Sequence, residues 1–231
     1  MTLTIMTRSN MLTTNITSYF EEGDVQKLVN GELKYTDAKF VDALKAIIEL
    51  KTRGCVEEDA STREQLDAAN DLVSGKEAFM EGQPQFLPYF DKITDNLGVS
   101  LIPMSGNGPL KDKNSAFSGD DWVIPKDAAH PDLAWEFIKI ASDEQAGAEM
   151  IPQIGSPPAN IKAGSAISNP FVAYINEQTL PDKVGMPILD VVIPNAVALV
   201  WYRELQQAFA GTKSAEDALA AIQAAQDQTE P

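Results

Sequence analysis

Apolar residues recur along the chain in two rhythms, one helical and one strand-like, and the changes between them divide the sequence into elements. Val99, Leu101 and Ile102 predict a short strand, and Trp122, Val123 and Ile124 another. Pro103 and Pro125 close them, because proline has no amide to donate to a continuing ladder. Beyond Pro131 the spacing turns helical. Leu133, Ala134, Phe137, Ile138 and Ala141 share one face, and Pro131 sits at the helix start, where its missing amide costs nothing. Strand, polar loop, strand and helix make a unit of an α/β domain. So small a unit buries too little apolar surface to offset the entropy of ordering it, so it must lean on structure from elsewhere.

Around this stretch the pattern predicts mostly helices. Residues 1–19 mix threonine, methionine and isoleucine and predict strand or loop; the glycines and charges from Phe20 to Tyr35 predict a surface connection. Thr36 and Asp37 precede Phe40, Val41, Leu44, Ile47, Ile48 and Leu50, an amphipathic helix ending near Gly54. A shorter helix starts near Ser61, turns Leu66, Ala69 and Leu72 or Val73 inward, and ends at Gly75. Ala78, Phe79 and Met80 predict a strand, Glu81 to Pro84 a turn, and Phe86, Leu87, Tyr89, Phe90, Ile93 and Leu97 a helical spacing. That aromatic cluster has two readings, core packing or a platform at a ligand cleft.

Asp143 to Met150 continues helically until the prolines after Ile154 break it, and a short helix follows over Pro170 to Leu180. Ile188 to Ile193 reads as an apolar strand. From Asn195 to Ala210 a helix places Ala198, Trp201, Leu205, Ala208 and Phe209 on one face, with Gly211 at its left-handed stop. Ser214 and Asp217 cap a last helix through Leu219, Ile222 and Ala225, and the tail from Gln226 is expected to fray.

Composition narrows the function classes. With 231 residues, 44% of them apolar, the chain holds one large domain or two small ones. Its 34 acidic and 18 basic residues give a formal charge of −16, which repels phosphate backbones and anionic lipid, so no nucleic-acid partner is expected. Cys55 is the single cysteine and His130 the single histidine, which excludes an internal disulfide and a histidine-rich metal site; no cofactor is expected. No apolar run has the length of a membrane span, and the residues after Met1 do not form an export signal.

Candidate chemistry is sparse. Gly98, Gly106 and Gly108 are not followed by the residues of a phosphate-binding loop, and there is no serine nucleophile elbow. Asp120 and Asp121, between Gly119 and Trp122, could accept hydrogen bonds from several hydroxyls while the indole covers the apolar face of a sugar; the other reading is a solvated turn. Trp201 and Tyr202 are helix neighbours and point about 100 degrees apart, so a core would use one and a cleft wall both.

From Phe40 onward these pieces, in their order, resemble the C-terminal half of the extracellular solute-binding proteins of ABC sugar importers, the maltose-binding-protein-like family. The resemblance rests on the helix 37–50, the run Ser74 to Met80 before Gly82, the Gly119 to Pro125 segment, and the helix from His130 through Trp135 to Ile138. Gly155 to Pro157 and the Gly211 to Ile222 unit after an aromatic helix complete it.

The resemblance implies a partial α/β fold of the periplasmic-binding-protein-like type II class. Residues 1–98 and 142–231 would belong to the second lobe, and residues 99–141 would be an orphaned strand-helix piece of the first. It implies a mono- or oligosaccharide held by stacked rings and polar side chains without catalysis, lobe closure, and docking on the membrane permease of an ABC importer. Trp201, with Tyr202 beside it, falls where the family stacks a tryptophan on sugar; Pro84 stands where another aromatic is expected, with Phe86 or Tyr89 as its replacement. Gly119, Asp120, Asp121 and Trp122 fall among the cleft residues. The full-length parent would be a monomer, periplasmic or extracellular, free or lipid-anchored, and the present chain a fragment of it. Two alternatives remain: a carbohydrate-active enzyme with paired carboxylates, and a chain that binds a non-sugar solute or nothing.

Overall fold

The computed structural model describes residues 5–57, 60, 63–82, 84–116, 121–155, 158–178 and 182–229. In chain order these form α1 (Ile5–Thr17), α2 (Asp24–Val29), α3 (Ala38–Thr52), α4 (Gln65–Val73), a 3-10 segment (Pro84–Asn96), β1 (Asn114–Ala116), α5 (Pro131–Ala141), α6 (Glu144–Ile154), α7 (Pro170–Gln178), β2 (Val184–Pro187), α8 (Asn195–Ala210) and α9 (Ala215–Asp227). Short 3-10 turns at Ile161–Ala166 and Leu189–Val191 complete the order. Two compact units result. The first joins 1–82, 100–117 and 181–231; the second joins 83–99 and 118–180. Residues 100–117 lie in the first of these units and 118–180 in the second.

In the first unit, α1 replaces the strand or loop expected of residues 1–19. Its helical period is invisible in sequence because polar side chains are buried beside the apolar ones: Met11, Leu12 and Ile16 share the interior with Thr13, Thr14, Asn15 and Thr17. Local and long-range bonds compensate three of these polar groups, Thr14, Asn15 and Thr17, the last donating to the Thr13 carbonyl at 3.0 Å. Asn15 Nδ2 donates to the Ala43 carbonyl at 3.0 Å, and its Oδ1 accepts from the Ser105 amide at 2.8 Å. Thr14 and Ser115 share a hydroxyl bond of 2.6 Å, which ties α1 to β1.

Residues 20–35 are likewise no mere surface connection. Phe20, Leu28 and Tyr35 are buried, and α2 forms within the stretch. Phe20 meets Phe40 edge to face at 5.5 Å, Tyr35 meets Phe40 at 5.2 Å, and Tyr35 meets Trp201 at 5.9 Å. Such pairs add about 1 kcal/mol each beyond area burial. Around this aromatic chain pack α1, α3, α8 and α9.

The caps form largely as the sequence predicts. Asp37 accepts from the Lys39 amide at 3.0 Å at the start of α3. Ser214 accepts from the Asp217 amide at 3.0 Å and donates to its carboxylate at 2.7 Å before α9. Gly211 stops α8 at φ 80°, a conformation that favours glycine. Gln226 does not fray: it is buried, and α9 continues through Asp227.

Helix α4 is rotated relative to expectation, with Ala68, Ala69 and Asp71 inward and Leu66 exposed. The cause is electrostatic. Arg63 pairs with Glu57 at 2.8 Å and with Asp71, while Lys76 holds the other Asp71 oxygen at 3.0 Å, so the carboxylate turns toward its partners.

The strands lie elsewhere than the apolar runs suggested. Residues 99–102 and 122–124 form no strand, and of the 78–80 run only Met80 makes an isolated bridge, leaving Phe79 74% exposed. An apolar run supplies no partner edge, and without one a strand has no ladder. The ladder observed is parallel, β1 against β2, pairing Asn114 with Val184, Ser115 with Met186 and Ala116 with Pro187. Pro187 ends it, so the apolar 188–193 run becomes a 3-10 turn rather than a strand. The irregular register falls at Gly185, where a Cβ would stand 2.8 Å from Thr17 Cγ2.

The second unit has a small core of Phe86, Leu87, Phe90, Ile151, Ala163 and Val172. Helix α6 begins at Asp143, whose carboxylate accepts from the Ala146 amide at 2.7 Å, and passes through Pro152 to stop at Gly155. Gly147 lets it lie close on the 161–166 turn, since a Cβ there would meet Ala163 Cβ at 2.9 Å. Helix α5 forms over the expected residues, yet none of them is buried.

Candidate functional site

The predicted site residues fall in distinct environments. Asp121 and Trp122 lie in the loop before α5, and both are exposed, Trp122 by 61%. Its indole is fixed from one side: Phe137 meets it edge to face at 5.1 Å, with the ring planes 83° apart. An indole so held, next to a carboxylate, offers a broad apolar face and an acceptor at one spot, the pair of contacts a sugar ring requires. Gly119 and Asp120 lie outside the described residues.

In the 3-10 segment the rings of the aromatic cluster differ in exposure. Phe86 and Phe90 are buried and serve the core, while Tyr89 is 54% exposed. Phe86 lies 6.1 Å from the Tyr89 ring at a 39° tilt. Tyr89 is therefore the ring of this cluster with a free face, and Phe86 supports it.

Trp201 corrects the expectation of a stacking tryptophan. Its side chain is fully buried, among Val197, Leu205 and Ala208 on the inward face of α8 and against Tyr35. An indole with no accessible face cannot stack on a ligand. The physical reason is its helix phase: it shares a face with Ala198, Leu205, Ala208 and Phe209, which together make that face the core side. Tyr202, one residue on, is half-buried and donates its hydroxyl to Asp190. Burial, aided by that carboxylate, pushes its phenol pKa up, so it stays a neutral donor at physiological pH.

The family model described as Bacterial extracellular solute-binding protein matches residues 3–176, most of the sequence. The chain belongs to this family.

Solved structures carry the same fold. A chitin oligosaccharide binding protein is 18% identical over 97% of this chain and 57% of its own, with a TM-score of 0.77. A sugar transporter from Bacillus licheniformis in complex with stachyose is 14% identical, with coverages of 98% and 59% and a TM-score of 0.72. The sugar-binding protein MalE from the phytopathogen Xanthomonas citri is 16% identical, with coverages of 95% and 55% and a TM-score of 0.64. No curated protein matches the chain. At these identities the likeness is one of fold, the α/β periplasmic-binding-protein fold in part; the chain spans 57% of the chitin oligosaccharide binding protein.

In the first unit, Phe79 is 74% exposed. It sits among three apolar residues between Lys76-Glu77 and Glu81-Gly82, too few to fill a core face. The first unit also holds a groove of about 280 Å³ lined by Leu28, Val29, residues 191–194 and Gln226. Its side chains are aliphatic apart from the Gln226 amide, with no aromatic ring to stack on a sugar. Among the described residues no group of three histidine, cysteine or acidic side chains could hold a metal ion, and no helix is long and apolar enough to cross a membrane.

Proposed function

We propose that the whole protein is the carbohydrate-binding receptor of an ABC-type sugar importer, of which this chain supplies a part. The observation that carries the reading is an indole, exposed by 61% and braced by Phe137, beside the exposed carboxylate of Asp121 in a solute-binding family. Trp122 and Tyr89 stack on the apolar faces of a mono- or oligosaccharide, and Asp121, with Asp120 and Gly119, takes its hydroxyls. Phe86 supports Tyr89, while Trp201 and Tyr202 serve the first unit by fixing α8. Binding involves no covalent step. In the whole protein, closure of two lobes over the sugar gives the form that docks on the membrane permease, outside the cytoplasmic membrane. The names of the structural neighbours, which speak of chitin oligosaccharide, stachyose and sugar, support a carbohydrate over another solute.

The test is a titration of this chain with chitin oligosaccharides, stachyose and maltose, read by tryptophan fluorescence. An open site holds its ligand weakly, with a Kd on the order of millimolar. A saturable change with at least one sugar, lost in Trp122→Ala, supports the reading. No change with any of them, in a chain whose circular dichroism shows it folded, removes Trp122 and Asp121 from the sugar site.

A further inference from the structure

The chain has two Asn-Gly pairs, Asn30-Gly31 and Asn107-Gly108, and the fold treats them differently. In such a pair the glycine amide nitrogen, which no Cβ hinders, attacks the asparagine Cγ. The new C–N bond closes a cyclic imide, the Cγ–Nδ2 bond breaks, and Nδ2 leaves as ammonia with the amide proton. Water then opens the imide at either carbonyl, which leaves aspartate or isoaspartate. The reaction consumes only solvent water, and it needs a backbone free to swing the glycine nitrogen onto the carboxamide.

Asn107 is exposed, but the nitrogen that would have to move is fixed. The Gly108 amide donates to the Ser18 carbonyl at 2.7 Å, and a Cβ on Gly108 would stand 2.9 Å from that oxygen. Ser18 and the nearby Leu110 are both buried. Swinging Gly108 toward Asn107 therefore lifts the loop off the end of α1. Asn30, also exposed, caps the C-terminus of α2, a helix of six residues. Gly31, at φ 74°, donates its amide to the Leu28 carbonyl at 3.1 Å, a bond of the helix's own last turn. The carboxamide is held at the surface: Oδ1 accepts from Gln26 Nε2 at 2.8 Å, and Nδ2 donates to Glu32 Oε1 at 3.2 Å. Opening this turn also breaks the bonds of the Asn30 and Glu32 amides to the Gln26 and Lys27 carbonyls, all on exposed residues. A helix end frays at little cost in free energy, whereas a loop anchored on buried groups opens rarely.

We propose that Asn30 is a site of spontaneous deamidation in the folded chain and that Asn107 is shielded from it. The carboxylate produced lies at the C-terminal end of α2, where the helix dipole opposes it, and beside Glu32. Isoaspartate also adds a methylene to the main chain at the turn. The change loosens α2, which carries Leu28 and Val29 of the aliphatic groove. It does not depend on the sugar reading.

The test is to hold the folded chain in mildly alkaline buffer at physiological temperature for weeks and follow the tryptic peptides 28–34 and 93–111 by mass spectrometry. A gain of about one mass unit, placed by fragmentation, marks each converted asparagine. The expected result is a steady gain at Asn30 and one about tenfold slower or less at Asn107, with the two rates converging when the chain is unfolded in urea. Asn30→Gln, whose longer side chain closes a ring far more slowly, should remove the gain from peptide 28–34. Comparable rates at both sites in the folded chain overturn the proposal. So does a folded chain unchanged at Asn30 while the unfolded one is converted at both.

Discussion

The amide of Gly106 donates to Ser18 Oγ at 2.8 Å, and a Cβ on that glycine would stand 2.5 Å from both the hydroxyl and the carbonyl oxygen of Ser18. The loop after residue 100 therefore lies directly on the end of α1, with no room for a side chain. The carbonyl is backbone, fixed by the helix it ends, and cannot give way. Gly106→Ala should lower stability by about 2 kcal/mol through overpacking, seen as an earlier urea midpoint at unchanged slope. Gly98→Ala, where a Cβ meets nothing within 4 Å, should leave the midpoint unchanged or raise it.

Asn15 is the second fastening of the same loop. Its amide oxygen takes both the Ser105 amide and the Ser105 hydroxyl, at 2.8 and 2.9 Å, while its nitrogen reaches the Ala43 carbonyl in α3. Replacement by leucine keeps the volume and removes all three bonds; exposed Ser105 can turn to water and to the Tyr19 hydroxyl, while the Ala43 carbonyl loses its side-chain donor in the interior. A loss of about 1 to 2 kcal/mol is expected from the lost bonds. Asn15→Asp would keep the acceptor and lose the donor, and thermal unfolding should place it between leucine and the native chain.

These two residues show why the N-terminal part resisted reading. Pattern analysis finds helices by a polar face turned to water, and α1 has polar residues turned inward instead: Thr13, Thr14, Asn15 and Thr17 are all buried. By contrast α3, α8 and α9 were legible because each has a wet side and a terminal signal, a capping side chain for α3 and α9 and a glycine at φ 80° for α8. Strands were the least legible, because β1 is Asn-Ser-Ala and owes its existence to β2 and α1, not to its own composition. The site divides the same way. Trp122 and Tyr89 were singled out by type, but which of two adjacent or clustered rings is bare depends on helix phase: Trp201 falls on the core side of α8, and Phe86 on the core side of its segment.

Acid should loosen the first unit by way of Asp24. Burial alone would raise its pKa, but hydrogen bonds from Lys39 at 2.5 Å, from the Glu21 amide at 3.0 Å and from Lys27 at 2.9 Å outweigh it and hold the carboxyl at about 2. The folded value lies below the ordinary 3.8, so the stabilisation is complete above that pH and disappears as pH falls toward about 2. The difference corresponds to about 2 kcal/mol. Glu204 adds to the same acid limb. Burial raises its pKa, and Lys213 and Arg203 more than reverse this, leaving it below the usual carboxylate range. Urea midpoints recorded at descending pH should fall less steeply in Asp24→Asn than in the native chain over that window, with the variant already weaker at neutral pH. Equal slopes would remove Asp24 from the account.

Trp201 and Trp122 separate stability from binding. Trp201 fills the centre of the first unit against Tyr35, and Trp201→Ala should cost about 3 to 5 kcal/mol, enough to unfold part of the population at room temperature. Trp122 is more than half exposed and touches Phe137 by one edge, so Trp122→Ala should cost under about 1 kcal/mol. Binding should show the reverse order. Trp201→Phe, which keeps an aromatic core residue, should retain the sugar-dependent fluorescence change contributed by Trp122, whereas Trp122→Ala should abolish it without shifting the unfolding midpoint appreciably. If instead the sugar response survived Trp122→Ala and vanished in a folded Trp201→Phe, the ligand would have to reach an indole that lies in the core. The stacking role would then return to α8.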